Sequence, residues 1–179
     1  TDPTDAGVEI RLQHSSFWGT GPTLNDVHQT GIADCYYEAG LSSMAYTMPQ
    51  KLMNMGVDLG DGTSAVRYVR NAVTSYVRVD GDLSAGSAAY GLKNSTPGTN
   101  GNQWACLFEK AYAFFRSGAN TYASLNYGSA SAALRDAGLS STAVSTSGMA
   151  QSSLQTLINN QLSAGKPIVV TNRIKPLAG

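Results

Sequence analysis

The sequence predicts an α+β fold, mainly helical with a small antiparallel β-hairpin, on three observations. Trp104, Leu107, Phe108, Ala111, Tyr112 and Phe115 recur at i, i+3, i+4, i+7, i+8 and i+11, a wide apolar stripe that requires a helix. Val66 and Tyr68, then Val77 and Val79, alternate with polar residues in two short runs that pair as a hairpin. Asp34 to Tyr46 reads as a helix in which the small residues Ala39 and Ser43 follow Cys35 by four and eight positions and allow close packing.

Asp34 is the expected N-cap of that first helix. The Trp104 helix should end near Gly118, with Cys106 packed inside its stripe and Glu109 and Lys110 on an exposed or lightly paired polar face. Ser131 to Ala137 forms a short helix stopped by Gly138. A further helix carries Leu154, Leu157, Ile158 and Leu162 and closes at Gly165. Pro167 and the β-branched run Ile168 to Thr171 follow it and read as a strand. Gly-rich stretches at Gly56 to Gly62, Gly81 to Gly101 and Gly138 to Gly148 punctuate the chain without dividing it. Gly98 to Gly101 precede no helix in a phosphate-loop pattern and read as a turn or linker. With 179 residues, the chain fits one domain able to bury a core.

Composition removes several function classes. Twelve basic residues balance twelve acidic ones, so no long-range field recruits nucleic acid or an anionic membrane. The apolar runs fall far short of the roughly 20 residues that cross a bilayer. Thr1 to Val8 lacks the charged and apolar regions of a signal peptide, and no compartment is legible. Cys35 and Cys106 are too far apart for a CxxC redox motif and too few for a disulfide framework, which leaves at least one free thiol.

Chemistry concentrates between Gly21 and Tyr36. A cysteine at the first turn of a helix meets the positive end of the helix dipole and unpaired backbone N–H groups, which favour the nucleophilic thiolate. Cys35 holds that position. Six residues upstream, Gln29 can return over the glycine-containing loop and aim its amide, together with the Cys35 backbone N–H, at one oxyanion. Asp26 can brace the same loop.

At these residues the chain resembles the calpain family of papain-like cysteine endopeptidases. Gln29, Asp34 and Cys35 match its Gln-Gly-x-Leu-Gly-Asp-Cys-Trp motif in spacing. Trp104-Ala105-Cys106-Leu107-Phe108-Glu109-Lys110-Ala111-Tyr112-Ala113 resembles its Trp-x-x-Leu-Leu-Glu-Lys-Ala-Tyr-Ala, and Val77 to Leu83, Tyr122 to Leu125 and Ala133 to Asp136 follow in family order. Three residues depart from the pattern. Tyr36 replaces Trp, Thr30 replaces Gly, and Ala33 replaces a Gly, which would be strained if the loop needs positive φ there.

The resemblance implies thiolate attack by Cys35 on a peptide bond, with Gln29 an oxyanion donor, an acyl-enzyme thioester, a polypeptide substrate and no required cofactor. It further implies that residues 1–179 are the N-terminal lobe of a calpain-like catalytic domain. The family's general-base His and orienting Asn would lie in a C-terminal lobe absent from this chain. The sequence offers only His14 and His28, and His28 should point away from the Gln29 amide. A calcium ion is the one metal the family suggests, through Asp26 and the backbone of Gly19 and Gly21, but Asn102 stands where the family has a second carboxylate. A non-catalytic calpain-like module that binds a peptide or partner is the alternative. A transglutaminase-like acyl transferase is disfavoured by the Leu107 to Ala113 motif.

Overall fold

A computed structural model describes residues 2–6, 9–11, 16–29, 31–84 and 102–171. Strand β1 (Glu9–Arg11) leads to a short 3-10 turn at Leu24–Asp26 and then to helices α1 (Cys35–Thr47) and α2 (Pro49–Met53). Strands β2 (Gly56–Asp58), β3 (Thr63–Arg70), β4 (Val73–Asp80) and β5 (Asp82–Ser84) follow, and then helix α3 (Trp104–Phe115). A second 3-10 turn at Tyr122–Leu125 precedes α4 (Ala130–Asp136) and α5 (Gln151–Ser163). The mixture is the expected α+β architecture.

The hairpin is β3 against β4, with Val66 opposite Val77, and its turn residues Asn71 and Ala72 take φ of 52° and 63°, both left-handed as a tight two-residue turn demands. Val66, Tyr68 and Val79 point into the core, so the alternation in sequence is the alternation of faces. Antiparallel β2 extends the sheet to three strands. It lies inside the first Gly-rich stretch, which the sequence presents only as a break. Short β1 and β5 pair separately.

Helix α3 runs through the core, buried from Trp104 to Ala113. Tyr112 stacks on Tyr37 of α1 at a centroid distance of 4.0 Å. The hydroxyls of Tyr37 and Tyr68 lie 2.8 Å apart and both donate to the Phe108 carbonyl, at 3.1 and 2.8 Å. Arg70 joins the sheet to α4 through Asp136, donating from Nη2 to Oδ2 at 2.7 Å and from Nε to Oδ1 at 3.2 Å. Cys106 is buried, as its place in the stripe implied, and burial pushes its thiol well up.

Three sequence expectations are corrected. Glu109 and Lys110 are buried, at 1% and 0% exposure, because the 2–6 segment, the sheet and α1 enclose α3 beyond its apolar stripe. Lys110 extends its aliphatic stem through the core and sets its ammonium against Asp2, Asp80 and the Asp82 carbonyl. Ile168 to Thr171 forms no strand, since no described strand offers a ladder there. The Ile168 N–H donates to Ser43 Oγ instead, at 2.9 Å, and Val169 packs on the core edge. The core face of α1 is Tyr37, Leu41, Met44 and Ala45, while Ala39 and Ser43 are half-buried. Helix α5 forms and closes at Gly165, but none of its residues is buried. Residues 85–101, including Gly98 to Gly101, lie outside the described residues.

The Lys110 pairs allow a direct test. Lys110→Met keeps the stem and removes a buried ammonium from two half-buried carboxylate partners, so chemical denaturation should show a loss of about 2 kcal/mol at neutral pH.

Candidate active site

The site is built on the start of α1. Cys35 is the helix's first residue and is exposed, while Asp34, Tyr36, Tyr37 and Glu38 around it are buried. The main chain just before it is clamped by a distant loop. Asn126 Oδ1 accepts from the Ala33 N–H at 2.9 Å, and the Tyr127 N–H donates to the Ala33 carbonyl at 2.8 Å. Tyr36 donates its hydroxyl to the Leu125 carbonyl at 3.1 Å. Gly128 lies against the Tyr36 ring so closely that a Cβ there would approach Cζ to 2.4 Å. Arg116 completes the clamp, donating to the carbonyls of Ser124 and Tyr127 and covering the Tyr36 ring at 4.9 Å.

Ala33 has no positive φ, so the strain anticipated for a residue in a glycine's place is absent. The left-handed residue is Tyr127, at φ 56°, across the clamp. The smaller Tyr36 in place of Trp uses its hydroxyl to anchor the ring.

Gln29 is exposed on the loop, and its Nε2 donates to the Ile32 carbonyl at 2.6 Å and to Asp34 Oδ1 at 2.9 Å. Both amide protons are therefore engaged within the loop that precedes Cys35. Asp34 occupies the N-cap position but makes no side-chain cap. Its carboxylate is turned to Gln29 instead. Burial raises the Asp34 carboxyl to about 6, against the opposing effect of contacts with Glu109 and Gln29.

Sequence reasoning missed Glu38 and gave Glu109 a bland role. Oxygens of Asp34, Glu38 and Glu109 all lie within 4.8 Å of one another, and all three residues are buried. The signal available was the i, i+4 spacing of Asp34 and Glu38 on one face of α1.

Asp26 is fully buried and braces its loop. Its Oδ2 accepts from the Thr23 N–H at 2.7 Å and from Trp104 Nε1 at 3.0 Å. Among the described residues its Oδ1 has no hydrogen-bond partner, and neither side-chain polar atom of buried Asn102 has one. Gly19 and Gly21 take φ of 56° and 113° in the same loop. One free carboxylate oxygen on Asp26 is far short of the six to eight oxygen ligands, several of them charged, that calcium takes. His28 is exposed and makes no hydrogen bond to Cys35; His14 lies outside the described residues.

Compared with known protein families, residues 8–176 match the family described as calpain family cysteine protease. No curated protein matches the chain.

The Asp34 environment predicts a pH signature. An acid raised from 3.8 to about 6 on folding binds more protons in the folded state across that interval. Its contribution to stability is largest below pH 4 and falls as pH rises through 6. Relative to wild type, Asp34→Asn should gain stability between pH 4 and 7 by about 2 kcal/mol, read from denaturation midpoints at a series of pH values.

Proposed function

The chain belongs to the calpain family of cysteine proteases, whose function is peptide-bond hydrolysis and whose substrates are polypeptides, and on that premise we propose that Cys35 is its nucleophile. One observation carries this reading: Cys35 alone is exposed in a stretch of otherwise buried residues, at the end of a clamped helix. A thiolate there is presented to solvent on a rigid platform.

In the proposed reaction the Cys35 thiolate attacks the scissile carbonyl carbon, and the carbonyl π pair moves to oxygen. Collapse expels the amine, which takes a proton from an imidazolium, and leaves a thioester. Water then attacks the thioester, gives a proton to the imidazole and releases the carboxylic acid, and the sulfur leaves as the thiolate beside the imidazolium that began the cycle. The Cys35 backbone N–H and the Gln29 amide are the proposed oxyanion donors. For that role Gln29 must exchange its bonds to Ile32 and Asp34 for the oxyanion, so substrate binding and loop rearrangement are coupled. The His base and its Asn are proposed to come from a second lobe beyond residues 1–179, because neither family motif occurs among them. No cofactor takes part. Asp26 and the backbone of Gly19 and Gly21 would hold a calcium ion, and the ion would stiffen the loop. The engaged Gln29 amide is the observation that favours the alternative, a calpain-like module that binds a peptide without cleaving it.

Residues 1–179 alone should show little or no peptidase activity. The chain extended with its downstream coding sequence should cleave peptides and lose this activity in Cys35→Ala. Gln29→Ala should lower kcat about 100-fold with a smaller change in KM. Assays with calcium and with chelator test the Asp26 loop. A folded but inactive extended protein would favour the binding module.

A further inference from the structure

On the far side of the clamp lies a cleft of about 340 Å³, bounded by Tyr36, Arg70, Arg116, Ser129, Arg135 and Asp136 among others. The chain has no net charge, yet this cleft gathers three guanidinium groups against one carboxylate. The carboxylate is committed: Asp136 accepts from Nε and Nη2 of Arg70 and from the Tyr112 hydroxyl, the last at 2.8 Å. Arg116 and Arg135 form no ion pair among the described residues. Arg116 meets carbonyls of Ser124 and Tyr127, and Arg135 meets Ser131 Oγ and the Ser141 carbonyl through Nη1 alone, at 3.3 and 3.2 Å.

A guanidinium carries five N–H donors and a fixed charge, and it pairs best with an oxyanion that can take two of them at once. The bonds described for Arg116 and Arg135 go to neutral oxygens and occupy only part of that capacity, although the Arg116 charge also favours the Asp34 carboxylate and lies over the Tyr36 ring. Arg135 lines the cleft and is exposed, so a ligand reaches it without unfolding the clamp. We propose that this cleft binds a small oxyanion, a phosphate or carboxylate group, between Arg116 and Arg135. The site shares Tyr36 and Arg116 with the clamp on Ala33, and its occupant lies one layer behind the nucleophile loop. It requires no role for Cys35 in catalysis.

The test uses the 179-residue chain and two probes, inorganic phosphate and acetate, titrated at constant ionic strength with chloride. Nε–Hε resonances of Arg116 and Arg135 are followed by NMR. Saturable shifts of both resonances with either probe support the site, and the tighter probe identifies the group as phosphoryl or carboxylate. Arg135→Gln, at an exposed position, should weaken that binding about tenfold without changing the denaturation midpoint. No saturation by either anion below about 10 mM, or binding unchanged in Arg135→Gln, overturns the proposal. Failure leaves the peptidase reading untouched, since anion binding and peptide cleavage are measured independently.

Discussion

A helix enclosed on every side must find a partner inside the protein for each polar group it carries, because water no longer reaches them. Helix α3 is under that constraint, and its solutions tie the molecule together. Trp104 Nε1 reaches Asp26 in the loop ahead of Cys35. The Phe108 carbonyl receives hydroxyls from α1 and β3. Lys110 gathers Asp2 and Asp80 from opposite parts of the chain, and Tyr112 reaches Asp136 in α4. Each bond satisfies a buried group and positions another element, so α3 acts as the axis to which the Cys35 helix, the sheet and the clamp loop are referred.

The candidate site inherits its rigidity from this arrangement. Tyr36 and Tyr37, adjacent in sequence, point to different neighbours, one to the Leu125 carbonyl and Arg116, the other to Tyr112 and Tyr68. Between them they fix the azimuth of α1 and leave Cys35 turned outward. Preorganisation of this kind lowers the entropic cost of bringing a thiolate to a carbonyl. Gln29 is held less firmly, by an exposed side chain whose anchor, Asp34, changes charge near neutral pH.

Much of this was legible in the sequence where periodicity is strong. The hairpin and α3 follow from apolar residues recurring at the period of their own geometry, and the family motifs lie on these elements and on α1. The errors have physical causes. Glu109 and Lys110 look like a solvated face because a local pattern carries no information about what the 2–6 segment covers. Strand β2 is three residues inside a glycine-rich stretch, too short for any period, whereas Ile168 to Thr171 has the composition of a strand and no partner to pair with. Asp34 is a good cap by type, but the nearby Gln29 amide offers its carboxylate another donor. The match of Gln29 and Cys35 was readable from spacing, while the closeness of Asp34, Glu38 and Glu109 depends on how α1 meets α3.

The clamp on Ala33 joins positions 93 residues apart, Ala33 and Asn126. During synthesis the cysteine helix leaves the ribosome long before the loop that seats it, and closing so distant a contact is a late event in folding. The Ala33 clamp cannot form before Asn126 and Tyr127 have been made, so the seating of Cys35 waits on residues far downstream of it. Such an order of events delays any reactivity that depends on a seated Cys35 until its surroundings are complete.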